Sequence, residues 1–132
     1  MIALDTNVVI RYLAQDDPWQ AAAATRLMEK TLTTDNPGFI ALVTVCEIAW
    51  VLEACYAADR ASVREAIEGL LGTKQIAVES SELVWKAIRA WVDTSADLSD
   101  AIIGQVGLAR GAGKIVTFDK AAAKLPAFEL LA

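Results

Sequence analysis

The sequence predicts an α/β fold: a central parallel sheet covered by helices on both faces. Three observations carry this. Short apolar runs alternate with longer segments of helical spacing; the first and fourth runs each stop at an aspartate; and no repeat, linker or low-complexity stretch interrupts the alternation. Short apolar runs of this kind read as strands buried on both faces, which occur in helix-covered parallel sheets. A chain of 132 residues fits one domain, 1–132, large enough to bury a real core.

Ile2-Ala3-Leu4 is the first strand, and Asp5 stands at its carboxyl end, where open α/β sheets place their ligand sites. Asn7 caps a helix running to about residue 15, and Asp17-Pro18 opens a second over about 18–32. Asn36-Pro37-Gly38 is a turn, and Phe39-Ile40-Ala41-Leu42 a second strand. Thr44 opens a third helix to about Tyr56, and Asp59 a fourth to about Leu71, closed by Gly72-Thr73. Ile76-Ala77-Val78 is the third strand, and Ser80 or Ser81 starts the helix of Trp85, Ile88 and Trp91. After a polar loop, Asp93 to Asp97, a helix runs from about Ser99 to Arg110 and ends at Gly111-Ala112-Gly113. Ile115-Val116-Thr117-Phe118 is the fourth strand, ending in Asp119, and residues 127–131 form a short edge strand.

Composition narrows the chemistry. A hydrophobic fraction of 55% excludes disorder, and no apolar run is long enough to cross a bilayer. The N-terminus has neither a basic region nor a cleavage site, so the expected location is cytoplasmic, with no membrane partner. Cys46 and Cys55 are nine residues apart on one expected helix; at about 100° per residue they point to opposite sides and cannot pair. They read as buried free thiols of a reducing compartment. The chain has no histidine, which removes His-activated nucleophiles, His-ligated zinc and imidazole acid–base chemistry. A net charge of −5 argues against a general electrostatic grip on nucleic acid: either the partner is not a polyanion or cations mediate the contact.

Right-handed crossovers put all strand carboxyl ends of a parallel sheet on one rim. Asp5 and Asp119 end strands there; Glu47 lies in the first turn of the helix after strand two, and Asp100 in the first turn of the helix that descends to strand four. Each acid also has a local explanation. Thr44 and Glu47 have the spacing of a capping box, Asp100 suits a helix dipole, and Asp119 can cap a short helix through Lys124. Asp5, following a buried strand, is expected to be partly desolvated. Four such acids on one rim favour a shared site. Carboxylates a few Å apart need a counter-cation or protons. An all-oxygen set selects Mg²⁺ or Mn²⁺, ions that ligate phosphate oxygens and activate water for phosphodiester hydrolysis without histidine.

Asp5-Thr6-Asn7 at the start, Glu47 after strand two, Asp97-Leu98-Ser99-Asp100-Ala101-Ile102-Ile103 and Val116-Thr117-Phe118-Asp119-Lys120 together resemble the PIN-domain ribonucleases, and among them the VapC-type toxins of toxin–antitoxin pairs. The similarity covers essentially the whole chain; the motifs are weak one by one and fairly specific in this order. The resemblance implies a three-layer α/β/α sandwich of strand order 3-2-1-4-5, and an acidic Mg²⁺ site of Asp5, Glu47, Asp100 and Asp119, with Asp5 and Asp100 the most direct ligands. It implies supporting hydrogen bonds from Thr6, Asn7 and Thr117. Asp97 matches a frequent extra acid and reads equally well as a loop acid; Leu98 stands where the family often has an aromatic. RNA as substrate, a homodimer and a small inhibitory antitoxin follow from the same likeness.

Trp50, Val51, Leu52 and Ala54 make the third helix apolar on several sides, which reads first as core packing and second as a dimer face. Of the cations, Lys120 beside Asp119 is the best placed to contact RNA, while Arg11 and the others read mainly as solvated surface. Two other functions fit less well. A haloacid-dehalogenase-type phosphohydrolase would use Asp5 as nucleophile but needs a second acid where Asn7 stands, and a receiver carries its phosphorylated Asp after a later strand. A non-catalytic interaction module would use the acids merely as helix caps.

Overall fold

The N-terminal apolar run becomes strand β1 (Ile2–Ala3) in the computed structural model, which describes all of residues 1–132. β1 lies parallel to β2 (Gly38–Ile40), with Ile2 opposite Gly38, and β2 lies parallel to β3 (Ile76–Val78), with Ile40 opposite Val78. β2 is therefore the central strand of a β1-β2-β3 sheet. Gly38 is tightly packed there: a Cβ would fall 2.7 Å from Leu32 Cδ1 and 2.9 Å from Leu4 Cδ1, so these side chains would have to shift. The strands are linked by α1 (Thr6–Ala14), α2 (Pro18–Arg26), a π-helical turn (Leu27–Thr31), α3 (Leu42–Tyr56) and α4 (Arg60–Leu71). Val9, Ile10, Met28, Ile40, Val45, Ile48, Val63 and Ile67 are buried and form the core of this unit, Met1–Glu79.

The second unit, Ser80–Ala132, is built on α5 (Ser81–Trp91) and α6 (Leu98–Ala109), which pack together around the fully buried Trp91 with Val84, Ile88 and Leu98. Strand β4 (Ile115–Thr117) runs parallel to β5 (Phe128–Leu130), with Ile115 opposite Phe128. Gly104 of α6 admits the Phe128 ring, whose Cε1 lies 2.5 Å from where a Cβ would stand. Every ladder is parallel and helix-linked, as the α/β class requires. The strands pair as β1-β2-β3 in the first unit and β4-β5 in the second.

Several local expectations are corrected. Asp5, not Asn7, caps α1, its Oδ1 accepting from the Thr6 N–H at 2.8 Å. The third helix begins at Leu42, two residues before Thr44, because the chain turns straight out of β2. Thr44 is thus a buried interior residue, and no capping box with Glu47 exists. The strands are not uniformly buried: Ala3 is exposed and Val116 is half exposed. Cys55 is exposed rather than buried, Cys46 is half-buried, and neither is in a disulfide. Leu52 does pack in the core, but Trp50 turns outward with 63% of its surface exposed. No helix is long and apolar enough to cross a membrane.

Candidate active site

In a parallel β1-β2-β3 sheet the three carboxyl ends share a rim, and the first unit collects its acids there. α1 starts immediately beyond β1, so Asp5 is both the strand's exit and the helix cap. α3 starts immediately beyond β2 and brings Glu47 up beside α1, where the Thr6 hydroxyl donates to Glu47 Oε1 at 2.8 Å. This bond orients one carboxylate oxygen and leaves Oε2 for another partner. Asp5, Thr6, Asn7 and Glu47 line one end of a groove of about 410 Å³ between α1 and α3. Asp5 and Glu47 are both exposed. The expected desolvation of Asp5 is therefore corrected: the residue lies past the last strand position and faces the open groove.

Glu79 is a rim acid that motif spacing did not single out. It follows β3, its N–H donates to Ile40 O at 2.9 Å, and its Oε1 accepts from the Leu42 N–H at 2.7 Å. It thereby supplies the N-terminal acceptor that Ala41, at the cap position of α3, lacks. The signal was present: the rim rule applied to strand three points to Glu79.

The second unit holds the remaining acids. Asp97 stands at the cap position of α6 and Asp100 in its first turn. Burial holds the Asp100 carboxyl above the usual carboxylate range, and the charges of Asp97 and Asp119 push it further the same way. Of the acids expected at the site, Asp100 is thus the desolvated one. Asp119 Oδ1 accepts from the Ala121 and Ala122 N–H groups at 2.8 and 3.3 Å, tying the turn into the short 3-10 helix (Ala122–Lys124), whose cap position is Ala121 rather than Asp119; both bonds use one oxygen and leave Oδ2. The Thr117 hydroxyl accepts from the Asp119 N–H at 3.0 Å, fixing the turn that carries the acid. Lys120 is exposed beside it.

The profile of the PIN domain matches residues 2–127. The chain belongs to the PIN-domain family. A search of curated proteins found no match. PIN domains are in general nucleases that bind nucleic acid and use divalent metals such as Mg²⁺, and membership favours that class over an Asp-nucleophile phosphohydrolase. The donors of this PIN domain fit a hard divalent ion in kind, being carboxylates and hydroxyls. No three Asp, Glu or Cys side chains are drawn together closely enough to hold an ion. Carboxylates at that distance repel one another unless a cation or a shared proton offsets the charge.

Proposed function

We propose that this PIN domain is an Mg²⁺-dependent endoribonuclease, with Mn²⁺ as a substitute, acting as the toxin of a type II toxin–antitoxin pair. The observation that carries the reading is the pairing of family membership with the Thr6–Glu47 bond beside Asp5, which orients a carboxylate in a groove open to substrate. By the family resemblance Asp5 and Asp100 would hold the ion most directly, with Glu47 and Asp119 completing the set. Such an ion would supply positive charge to phosphate oxygens and lower the pKa of a bound water. The chain's own residues do the rest. Thr6 holds Glu47, Thr117 holds the Asp119 turn, and Asn7 offers an amide to the groove. Asp97 keeps the charge density at Asp100 high, and Lys120 is a phosphate contact.

The partners of such a toxin are a second copy of the chain and a small antitoxin. Val43 and Trp50, 67% and 63% exposed on α3, supply the apolar outer surface such contacts use.

The test compares the purified protein with Asp5→Asn on a mixed structured-RNA substrate and on DNA, with Mg²⁺ or Mn²⁺. Asn still accepts from the Thr6 N–H, so the helix cap survives while the charge is lost. RNA cleavage that requires metal and falls roughly 100-fold or more in the variant is expected. Equal cleavage by both proteins, or cleavage of DNA alone, refutes the reading.

A further inference from the structure

The groove that holds Asp5 and Glu47 at one end has a different chemistry at the other. There α1 and α3 are bridged a second time, Arg11 Nη1 donating to the Tyr56 hydroxyl at 3.1 Å. Thr6 meets Glu47 and Arg11 meets Tyr56, so the two helices run in the same direction and the groove follows them both. Arg11 is the one cation among its lining residues, and Ile10, Val51 and Cys55 make its walls apolar between the two bridges.

Arg11 is held but not used up. Its Nε donates to Gln20 Oε1 at 2.6 Å, and its Nη1 is shared between Tyr56 and Asp16, the latter at 3.5 Å. Nη2 donates to no protein atom, which leaves two N–H groups of the guanidinium fork. The ion pair with Asp16 is long and solvent-accessible on both sides, 32% and 45%, the kind that contributes little and yields to a better anion. Asp16 has its own partner, the Tyr56 hydroxyl at 2.7 Å, and this bond holds its carboxyl below the usual carboxylate range. The arrangement fixes the stem of a guanidinium and keeps a donor edge in reserve, which suits a phosphate better than a purely structural tie.

We infer that Arg11 is a phosphate-binding residue of the groove, and that the groove takes a single-stranded segment of RNA running from the acidic end toward Tyr56. Arg11 lies six residues beyond Asp5, about 9 Å along the axis of α1. A stacked strand rises about 3.4 Å per nucleotide, so the contacted phosphate is two or three nucleotides from the acids, fewer if the strand is splayed. The apolar walls and the Tyr56 ring offer the unstacked bases the surfaces that single strands use. This rests on the nuclease reading, and it adds a subsite outside the acids.

The experiment measures binding of a fluorescent single-stranded RNA oligonucleotide in Ca²⁺ by anisotropy, across a salt series, for the full chain, Arg11→Gln and Arg11→Lys. Each phosphate contact contributes about 0.7 to the slope of log K against log salt for a single strand. Arg11→Gln is expected to lose that increment of slope and about tenfold in affinity; Arg11→Lys keeps the slope and loses part of the affinity. A merely structural role of Arg11 would lower the melting temperature and leave the slope alone. A series of oligonucleotides with one neutral methylphosphonate linkage checks the same contact from the substrate side, even if Arg11→Gln fails to fold. One linkage should weaken binding to the unaltered protein and, where the variant folds, have no further effect on Arg11→Gln. Unchanged slope in a folded variant, or no linkage that matters, overturns the inference and leaves the nuclease reading standing. No binding of RNA by the unaltered protein overturns both.

Discussion

Glu79 offers the sharpest test of how the site is built, because a residue from β3 holds the start of the helix that carries Glu47. Replacing it with alanine removes the 2.7 Å acceptor of the Leu42 N–H, and Ala41 has no side chain to take over. Loss of an N-terminal acceptor costs about 0.5–2 kcal/mol, and loss of a negative charge at a helix N-terminus about 0.3–1 kcal/mol. Glu79 is exposed, so water replaces part of the bond, and a total of about 1 kcal/mol is expected. The backbone of Glu79 is unaffected, since its N–H to Ile40 O bond continues the β3 ladder. For a chain of this length the unfolding entropy near the midpoint is about 0.28 kcal/mol/K, so Glu79→Ala should lower Tm by about 4 °C. Urea unfolding should show a lower midpoint with an unchanged m-value. Glu79→Gln keeps an acceptor oxygen and loses only the charge, so it should recover at least half the loss. A change below about 0.3 kcal/mol in Glu79→Ala would refute the reasoning, and so would Glu79→Gln behaving like Glu79→Ala.

Two further outcomes follow from the packing and the charges. Gly38→Ala forces a methyl against Leu32, Leu4 and Ile76 at 2.7, 2.9 and 3.1 Å and should destabilise by about 1–3 kcal/mol in urea, with no effect tied to metal. For Asp100 the sign runs through its protonated form: a carboxyl held above its ordinary range is favoured as the acid in the folded protein, so its contribution is fully present at low pH and lost as pH rises through the folded value. Asp100→Asn should therefore stabilise the metal-free protein near neutral pH, by about 0.5 kcal/mol for a partly exposed charge, and the gain should vanish below the carboxylate range. Thermal melts at several pH values without metal check this; a gain that grows on acidification would contradict it.

Much of the fold and of the candidate site was legible in the chain itself. Alternating short apolar runs and helical spacings carried the α/β class, and the Asp59 and Asp17-Pro18 helix starts were read from local chemistry that tertiary contacts do not change, whereas Gly38, expected in a turn, is the first residue of β2. The acids that end strands one and four were visible for the same reason, since strand exits and helix entrances are local features. What the sequence could not reveal was which partner each side chain meets. Thr44 and Glu47 have the spacing of a capping box, yet the helix starts earlier and Glu47 turns to Thr6, 41 residues away in sequence. Asp5 follows an apolar strand but is exposed, whereas Asp100 is the acid that burial and neighbouring charges perturb. The ties of Glu79 to α3 and of Arg11 to Tyr56 join residues 37 and 45 positions apart. Periodicity and capping act over a few residues, so the sequence determined the elements and the acids at their ends. Burial and long-range hydrogen bonding depend on which elements pack together, so the tertiary structure alone decided which acid is desolvated, which is held, and where the groove places its one arginine.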